Sequence, residues 1–249
     1  SEKLARLVAK KIGIPFYVLN AEKEFKKEVV DYFLKEHKKG VTPNPCVVCN
    51  KEIKFGLLVR KTLDLGADFV ATGHYVKVEN GRLFCAKDKE KDQSYFLWQL
   101  NQEQIKHILF PVGNYTKPQV RALARKFKLP VAETPESQEI CFVHTTINDF
   151  LGRYIKNKSG EIIDEQGKIL GKHQGLWFYT IGQRKGLGVN QGPYYVVDKD
   201  LEKNLLIISK KDRYLLKKEL IVKNVNWISG KQVKLPLKVK AKIRYKHET

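Results

Sequence analysis

Three glycines set the frame of the first quarter of the chain. Gly13, Gly40 and Gly66 each follow a run whose apolar residues recur at helical spacing, and glycine just past such a run is a common helix stop. Leu4, Leu7, Val8 and Ile12 predict a helix over 2–12, Phe25, Val29, Val30, Phe33 and Leu34 a second, and residues 50–65 a third. Ile14 to Leu19 and Asp68 to His74 read as buried strands. The order helix–strand–helix–helix–strand predicts an α/β fold with a parallel sheet.

The rest of the chain changes character. Asn80-Gly81 lies between two short β-like runs and predicts a tight hairpin. Thr116-Lys117-Pro118-Gln119 opens a helix with a capping box and a proline in its first turn; the helix should run to about Phe127, with Pro130 beyond. After residue 145 helical periodicity fades. Tyr194 to Val197, Leu205 to Ser209, Leu220 to Trp227 and Val233 to Tyr245 read as strands, so mostly β structure is expected beyond 190.

Lys and Arg total 47 against 27 Asp and Glu, a formal charge of +20, which favours a polyanionic partner such as nucleic acid. No run of about 18 apolar residues occurs, so no membrane span is expected. The opening SEKLARLVAKKIG lacks the apolar core of a secretory signal. Four cysteines in 249 residues are too few for a disulfide scaffold and fit a reducing cytoplasm. Methionine is absent and the start is abrupt, which suggests a piece of a longer protein.

Five segments could carry chemistry. In Thr42-Pro43-Asn44-Pro45-Cys46-Val47-Val48-Cys49-Asn50, two prolines stiffen a loop that delivers Cys46 and Cys49 to the mouth of a helix. There the dipole, Lys51 and Lys54 should lower a thiol pKa. Cys-x-x-Cys is open to a zinc half-site, a redox pair or a nucleophile; without a second copy a four-cysteine zinc knuckle is disfavoured. Cys141, in Glu136-Ser137-Gln138-Glu139-Ile140-Cys141-Phe142, reads by itself as a core residue rather than a reactive one, and so does Cys85. Ala71-Thr72-Gly73-His74-Tyr75 ends a predicted parallel strand, where ligands collect and glycine admits close approach. Lys91-Asp92-Gln93-Ser94-Tyr95-Phe96-Leu97 reads as an exposed polar cluster suited to phosphate or base contacts. Gly182-Gln183-Arg184-Lys185-Gly186-Leu187-Gly188 frames two cations with glycine; it lacks the Gly-Lys-Ser/Thr ending of a Walker loop and suits an RNA backbone.

In order, these motifs, with Phe110-Pro111-Val112-Gly113 and Tyr195-Val196-Val197-Asp198-Lys199-Asp200, resemble the bacterial and mitochondrial tRNA-specific 2-thiouridylases over essentially the whole chain. The resemblance implies an ATP-pyrophosphatase domain of the adenine nucleotide alpha hydrolase type over 1–145, a central tRNA-binding domain over 146–206 and part of a C-terminal β-barrel over 207–249. It implies ATP-dependent, cytoplasmic 2-thiolation of the wobble uridine of tRNAs for Lys, Glu and Gln, with Mg2+, a persulfide sulfur and a sulfur-relay or cysteine desulfurase partner. By the same resemblance Cys49 is the nucleophile and Cys141 the persulfide carrier, and the two form a redox disulfide. Gly73 contacts ATP. Asn44, Pro45 and Cys46 contact the target base, and His74, Lys91, Asp92, Gln93, Arg244 and Tyr245 contact tRNA.

The sequence departs from the family in three places, one being that it carries only part of the C-terminal barrel. The Ser-Gly-Gly-x-Asp-Ser loop that holds pyrophosphate is not in it, so this chain alone is expected not to activate ATP. Position 46 is Cys where some members have Asp, which opens a rival scheme with an iron–sulfur cluster on Cys46, Cys49 and Cys141. A non-catalytic RNA-binding metal protein and a thiolase for another nucleotide are the remaining alternatives.

Overall fold

The structure is a computed structural model describing residues 2–135, 140–190 and 192–245. It groups into two compact units. The first takes the described residues of Ser1–Glu28, Cys46–Gln138 and Asn224–Thr249, the second those of Val29–Pro45 and Glu139–Lys223. The chain therefore passes from the second unit to the first immediately before Cys46.

All three glycine stops are present. Helix α1 is Glu2–Ile12. Helix α2, Glu22–Phe25, continues through a π-helical stretch, Lys26–Val30, into α3, Asp31–Lys38. Helix α4, Pro45–Val48, continues through a second π stretch, Cys49–Leu57, into α5, Leu58–Asp64. Gly13, Gly40 and Gly66 adopt φ of 72°, 74° and 86°. Each lets the next amide turn back on the helix: Ile14 N–H reaches Ala9 O at 3.1 Å, Val41 reaches Glu36 O at 3.1 Å and Ala67 reaches Thr62 O at 3.2 Å. A side chain at that left-handed position would be strained, which is why glycine marks the stop.

In the first unit, β1 (Val70–Ala71) pairs in parallel with β4 (Ile108–Leu109), and β2 (Val76–Glu79) pairs with β3 (Arg82–Cys85) as a hairpin. Asn80 and Gly81 have φ of 50° and 71°, as a two-residue hairpin turn requires. Helix α6, Gln102–Ile105, is capped by Asn101, and α7 is Lys117–Lys126. The Gln119 carboxamide oxygen accepts the Thr116 N–H at 2.9 Å. Phe55, Val59, Val70, Val76, Leu97, Leu100, Ile105 and Ile108 form the core.

The second unit holds α8 (Ile147–Tyr154) and a four-stranded sheet of β5 (Gly160–Ile163), β6 (Ile169–His173), β7 (Tyr195–Asp200) and β8 (Leu205–Ser209), ordered β6-β5-β8-β7. Strands β5 and β8 are parallel; the outer pairs are antiparallel. Ile162, Val196, Leu206 and Ile208 bury one sheet face, while Phe33, Phe150 and Leu151 centre a second cluster.

Four expectations change. Ile14 to Leu19 is not a strand: it finds no pairing partner among the described residues, and Tyr17 is 83 % exposed. The strand expected over 68–74 shortens to its two paired residues. Leu220 to Trp227 and Val233 to Tyr245 are not strands either, so among the described residues no strand follows β8 and no barrel closes. Alternating apolar residues signal a strand only where an edge is available to pair with. Part of that segment is instead fastened by side chains: Asn226 Nδ2 donates to Trp98 O at 2.7 Å and Leu100 O at 2.9 Å, and Gln102 Nε2 donates to Ile228 O at 2.5 Å. Among the described residues no helix is long and apolar enough to cross a membrane.

Candidate active site

Pro45 opens the helical run that carries both cysteines of the first motif. Cys46 is exposed, Val47 is buried, Cys49 is half-buried and begins the π stretch, and Asn50 is buried at 3 % exposure. Asn50 Nδ2 donates to Phe96 O at 3.1 Å, while its Oδ1 is buried with no partner. The π geometry has a local cause. A Cβ at Gly56 would lie 2.8 Å from Lys51 O, so only glycine lets that carbonyl, five residues back, come so near. Gln104 Nε2 then donates to Lys51 O at 3.1 Å and to Phe55 O at 3.0 Å, holding the irregular turn open.

Gly73 follows β1 at its carboxyl end, and a Cβ there would meet nothing within 4 Å, so the space above it is open. His74 turns inward. Its Nδ1 shares a 2.9 Å hydrogen bond with the Thr72 hydroxyl, and its ring packs 5.5 Å from Phe55 and 6.2 Å from Phe110. Burial, then the charge of Lys54, lowers its pKa to about 4, so it is neutral at pH 7.

Lys91-Asp92-Gln93 is not the exposed polar cluster expected from its composition. Asp92 is buried; its Oδ1 accepts the Ala86 N–H at 2.7 Å and its Oδ2 the Ser94 hydroxyl at 2.6 Å. Gln93 exchanges two bonds with Tyr75: its N–H donates to Tyr75 O at 2.8 Å and its Oε1 accepts the Tyr75 N–H at 2.9 Å. These side chains stitch the segment after β1 to the hairpin, because buried amides there have no strand partner. Tyr245 completes an aromatic group, 4.7 Å from Phe96 and 6.0 Å from Tyr95, whose hydroxyl donates to Ile243 O at 2.9 Å. Lys242 Nζ lies 5.8 Å from the Tyr245 ring centre, and Arg244 adjoins that ring in sequence.

In the second unit Cys141 is exposed, so it is not the core residue its apolar neighbours allowed. Ile140 and Phe142 are the anchors: Phe142 packs edge-on, 5.5 Å from Phe33 and 5.4 Å from Phe150. The preceding Glu136-Ser137-Gln138-Glu139 lies outside the described residues. The glycine frame is ordered by left-handed Gly182, Gly186 and Gly188, with φ of 82°, 75° and 67°. Arg184 stacks on Tyr195 at 5.6 Å. A cavity of about 570 Å³ beside it is lined by Asp149, Lys172, Gln174, Tyr179 and Gly186 to Gly188. Lys172 and Gln174 gave no signal in the sequence.

None of the four cysteines is in a disulfide, so the expected Cys49–Cys141 bridge is not formed; Cys49 belongs to the first unit and Cys141 to the second. Among the described residues no three His, Cys, Asp or Glu side chains converge as metal ligands.

Residues 2–145 match the family described as tRNA methyl transferase HUP domain, and residues 148–210 the one described as tRNA methyl transferase PRC-barrel domain. The chain is thus a nucleotide-binding α/β domain followed by a PRC-barrel domain. It is 50% identical to the tRNA-specific 2-thiouridylase MnmA of Halothermothrix orenii, over 97% of this chain and 70% of that protein. It is 48% identical to that of Clostridioides difficile, over 97% and 69%, and 47% identical to that of Geobacter metallireducens, over 98% and 68%. The chain belongs to the tRNA-specific 2-thiouridylase family.

Proposed function

We propose that this chain carries the sulfur-transfer part of an ATP-dependent tRNA 2-thiouridylase, with Cys49 as nucleophile and Cys141 as persulfide carrier. The family descriptions name a methyl transfer and the relatives a sulfur transfer. The observation that favours sulfur is the contrast between two thiols: one half-buried at the head of a helical run after the Asn44-Pro45 loop, the other exposed between apolar anchors.

The C2 oxygen of uridine is a poor leaving group. ATP, as co-substrate, transfers AMP to that oxygen and releases pyrophosphate, so that AMP can later depart. The open space at Gly73, at the end of a parallel strand, suits a nucleotide. The sequence does not include a Ser-Gly-Gly-x-Asp-Ser loop, which in the family would hold pyrophosphate and its Mg2+. The Cys49 thiolate attacks the inner sulfur of a Cys141 persulfide. A Cys49–Cys141 disulfide forms, hydrosulfide leaves, and its sulfur adds to C2 as AMP departs. Two electrons from a thiol reductant then restore both thiols. Attack by the terminal persulfide sulfur itself is the variant that skips the disulfide. No step is derived through an iron–sulfur cluster.

The base must leave its stack to reach Cys49. Asn44, Pro45 and Cys46 are proposed to receive it, and the basic surface, with Lys91, Arg244 and Tyr245, to hold the tRNA backbone. His74, Asp92 and Gln93 act from behind, by fixing the walls. We assign 1–145 to the catalytic domain, 146–206 to the central domain and 207–249 to the start of the C-terminal one. The compartment is the cytoplasm, the tRNAs those for Lys, Glu and Gln, and the sulfur source a relay protein or cysteine desulfurase. A single-turnover assay on the full-length protein with defined persulfide donor, ATP and tRNA tests the reading. Cys49→Ser and Cys141→Ser should each yield no 2-thiouridine; full product from either sinks it.

A further inference from the structure

The segment that leads into Cys46 is built by the second unit, and three side chains there hold it. Helix α3 ends in a tight turn: Gly40 N–H donates to His37 O at 2.9 Å and Val41 N–H to Glu36 O at 3.1 Å. The Gly40 carbonyl lies just past the electronegative end of that helix. Lys199, on β7, donates from Nζ to this carbonyl at 2.9 Å. Leu201 covers the same residue so closely that a Cβ at Gly40 would lie 2.7 Å from its Cδ2. Two residues on, the Thr42 hydroxyl shares a 3.0 Å hydrogen bond with the Thr180 hydroxyl. His37 secures the helix itself, through Nδ1–H donated to Trp177 O at 3.2 Å.

Lys199 is an unusual choice for this place. Its charge is largely withdrawn from water, which pushes its pKa down to about 8, and among the described residues no carboxylate pairs with it. A buried ammonium is costly and is kept where its hydrogen bond cannot be supplied otherwise. Here it meets a helix-terminal carbonyl that, among the described residues, accepts no backbone N–H. Thr180 is likewise placed by the glycine-framed loop, since its N–H donates to Gln183 Oε1 at 3.0 Å and its carbonyl accepts the Gln183 N–H at 2.9 Å.

We propose that Lys199 and Thr180 are positioning residues for 2-thiolation: tethered from the sheet and the glycine-framed loop, they fix Gly40 to Pro45, so that Asn44 and Pro45, which precede Cys46 and Cys49 in the chain, keep one conformation. The inference rests on the proposed role of those four residues. Neither Lys199 nor Thr180 touches the base. Their effect is on the orientation of a loop, so it appears in the chemical step and not in the salt-sensitive affinity for the tRNA backbone.

The test uses the full-length protein with Lys199→Met, which keeps an unbranched apolar stem and removes the donor, and Thr180→Val, which keeps the volume and removes the hydroxyl. Single-turnover kcat should fall about 10- to 100-fold in Lys199→Met, the range for misplacing a group by an ångström or so, and less in Thr180→Val. Dissociation constants for tRNA should stay within about twofold. Hydrogen exchange read by mass spectrometry should speed up over residues 40–48 and stay unchanged over β5 to β8. Should Lys199→Met not fold, Thr180→Val decides alone. Wild-type kcat in Thr180→Val, or weaker tRNA binding at unchanged kcat in either variant, overturns the proposal. If exchange quickens while kcat holds, the tether is real but does not position the chemistry. If instead Cys49→Ser keeps full activity, the functional reading fails, and the exchange data still report the tether.

Discussion

The two cysteine sites solve opposite problems. Cys49 sits inside regular structure: its helical run is irregular by one residue per turn, Gly56 admits that irregularity, and Gln104 holds it. Its neighbour Asn50 is buried. Cys141 has no such housing; two apolar neighbours are driven into a core and the thiol between them is left outside. A thiol proposed to attack one sulfur of a persulfide beside the bound base gains from fixed geometry. A group that must first be charged with sulfur by another protein gains from access. The difference fits the proposed division of labour, in which position and accessibility fall to separate thiols.

The largest effect expected from breaking this pairing is chemical. Cys49→Ser and Cys141→Ser should each lower the single-turnover thiolation rate at least ~1,000-fold, about 4 kcal/mol, because a hydroxyl neither carries nor attacks a persulfide at neutral pH. The double variant should be no worse than either single one if the two act as a unit.

Next is acid stability, since both units bury histidines: His74 in the first, and His37 and His173 in the second, all lowered chiefly by burial, His74 and His37 to about 4. A histidine whose folded pKa lies below its unfolded value of about 6.5 binds fewer protons when folded. Stability is therefore full above about pH 6.5 and is lost as pH falls toward 4, by roughly 3 kcal/mol for each of His74 and His37. Denaturant melts at stepped pH should show this loss, and His74→Phe, which keeps a ring against Phe55 and Phe110, should remove the share of the first unit alone.

A smaller effect is expected at Gly56. Gly56→Ala places a methyl 2.8 Å from Lys51 O, and relieving it should cost about 1–3 kcal/mol by chemical denaturation. Thiolation should fall with it while persulfide loading of Cys141 does not. The smallest is a rate contrast. At about pH 9, where ordinary thiols are mostly ionised, iodoacetamide should modify Cys141 roughly tenfold faster than Cys49, as mapped by peptide mass spectrometry. Equal rates would remove the distinction between a housed and a presented thiol.

Much of this was legible from residue order because the signals were local. A glycine needing positive φ, an Asn-Gly turn and a Thr-x-x-Gln cap each act within a few residues, and Gly13, Gly40, Gly66, Asn80-Gly81 and Thr116 all do what their neighbours predict. The failures share a cause of the opposite kind. Ile14 to Leu19 and Val233 to Tyr245 have strand-like residues, yet a strand is a property of two segments, and no edge accepts them among the described residues. Strands β5 and β6 were missed for the mirror reason: Gly, Lys and His interrupt their alternation, and the sheet supplies the partner. At the site, the cysteines were visible by motif. The burial of Asp92 and the tether from Lys199 were not, because each depends on a residue far along the chain or on the absence of one nearby.

The measurement closest to the central claim is a sulfur map of the full-length protein after exposure to a persulfide donor, without ATP or tRNA. The account predicts one added sulfur atom on the peptide bearing Cys141 and none on that bearing Cys46 and Cys49. Adding ATP and tRNA should discharge it in the wild type, but leave it in place in Cys49→Ser. Sulfur carried only on the Cys46–Cys49 peptide, with normal 2-thiouridine formation, would contradict it.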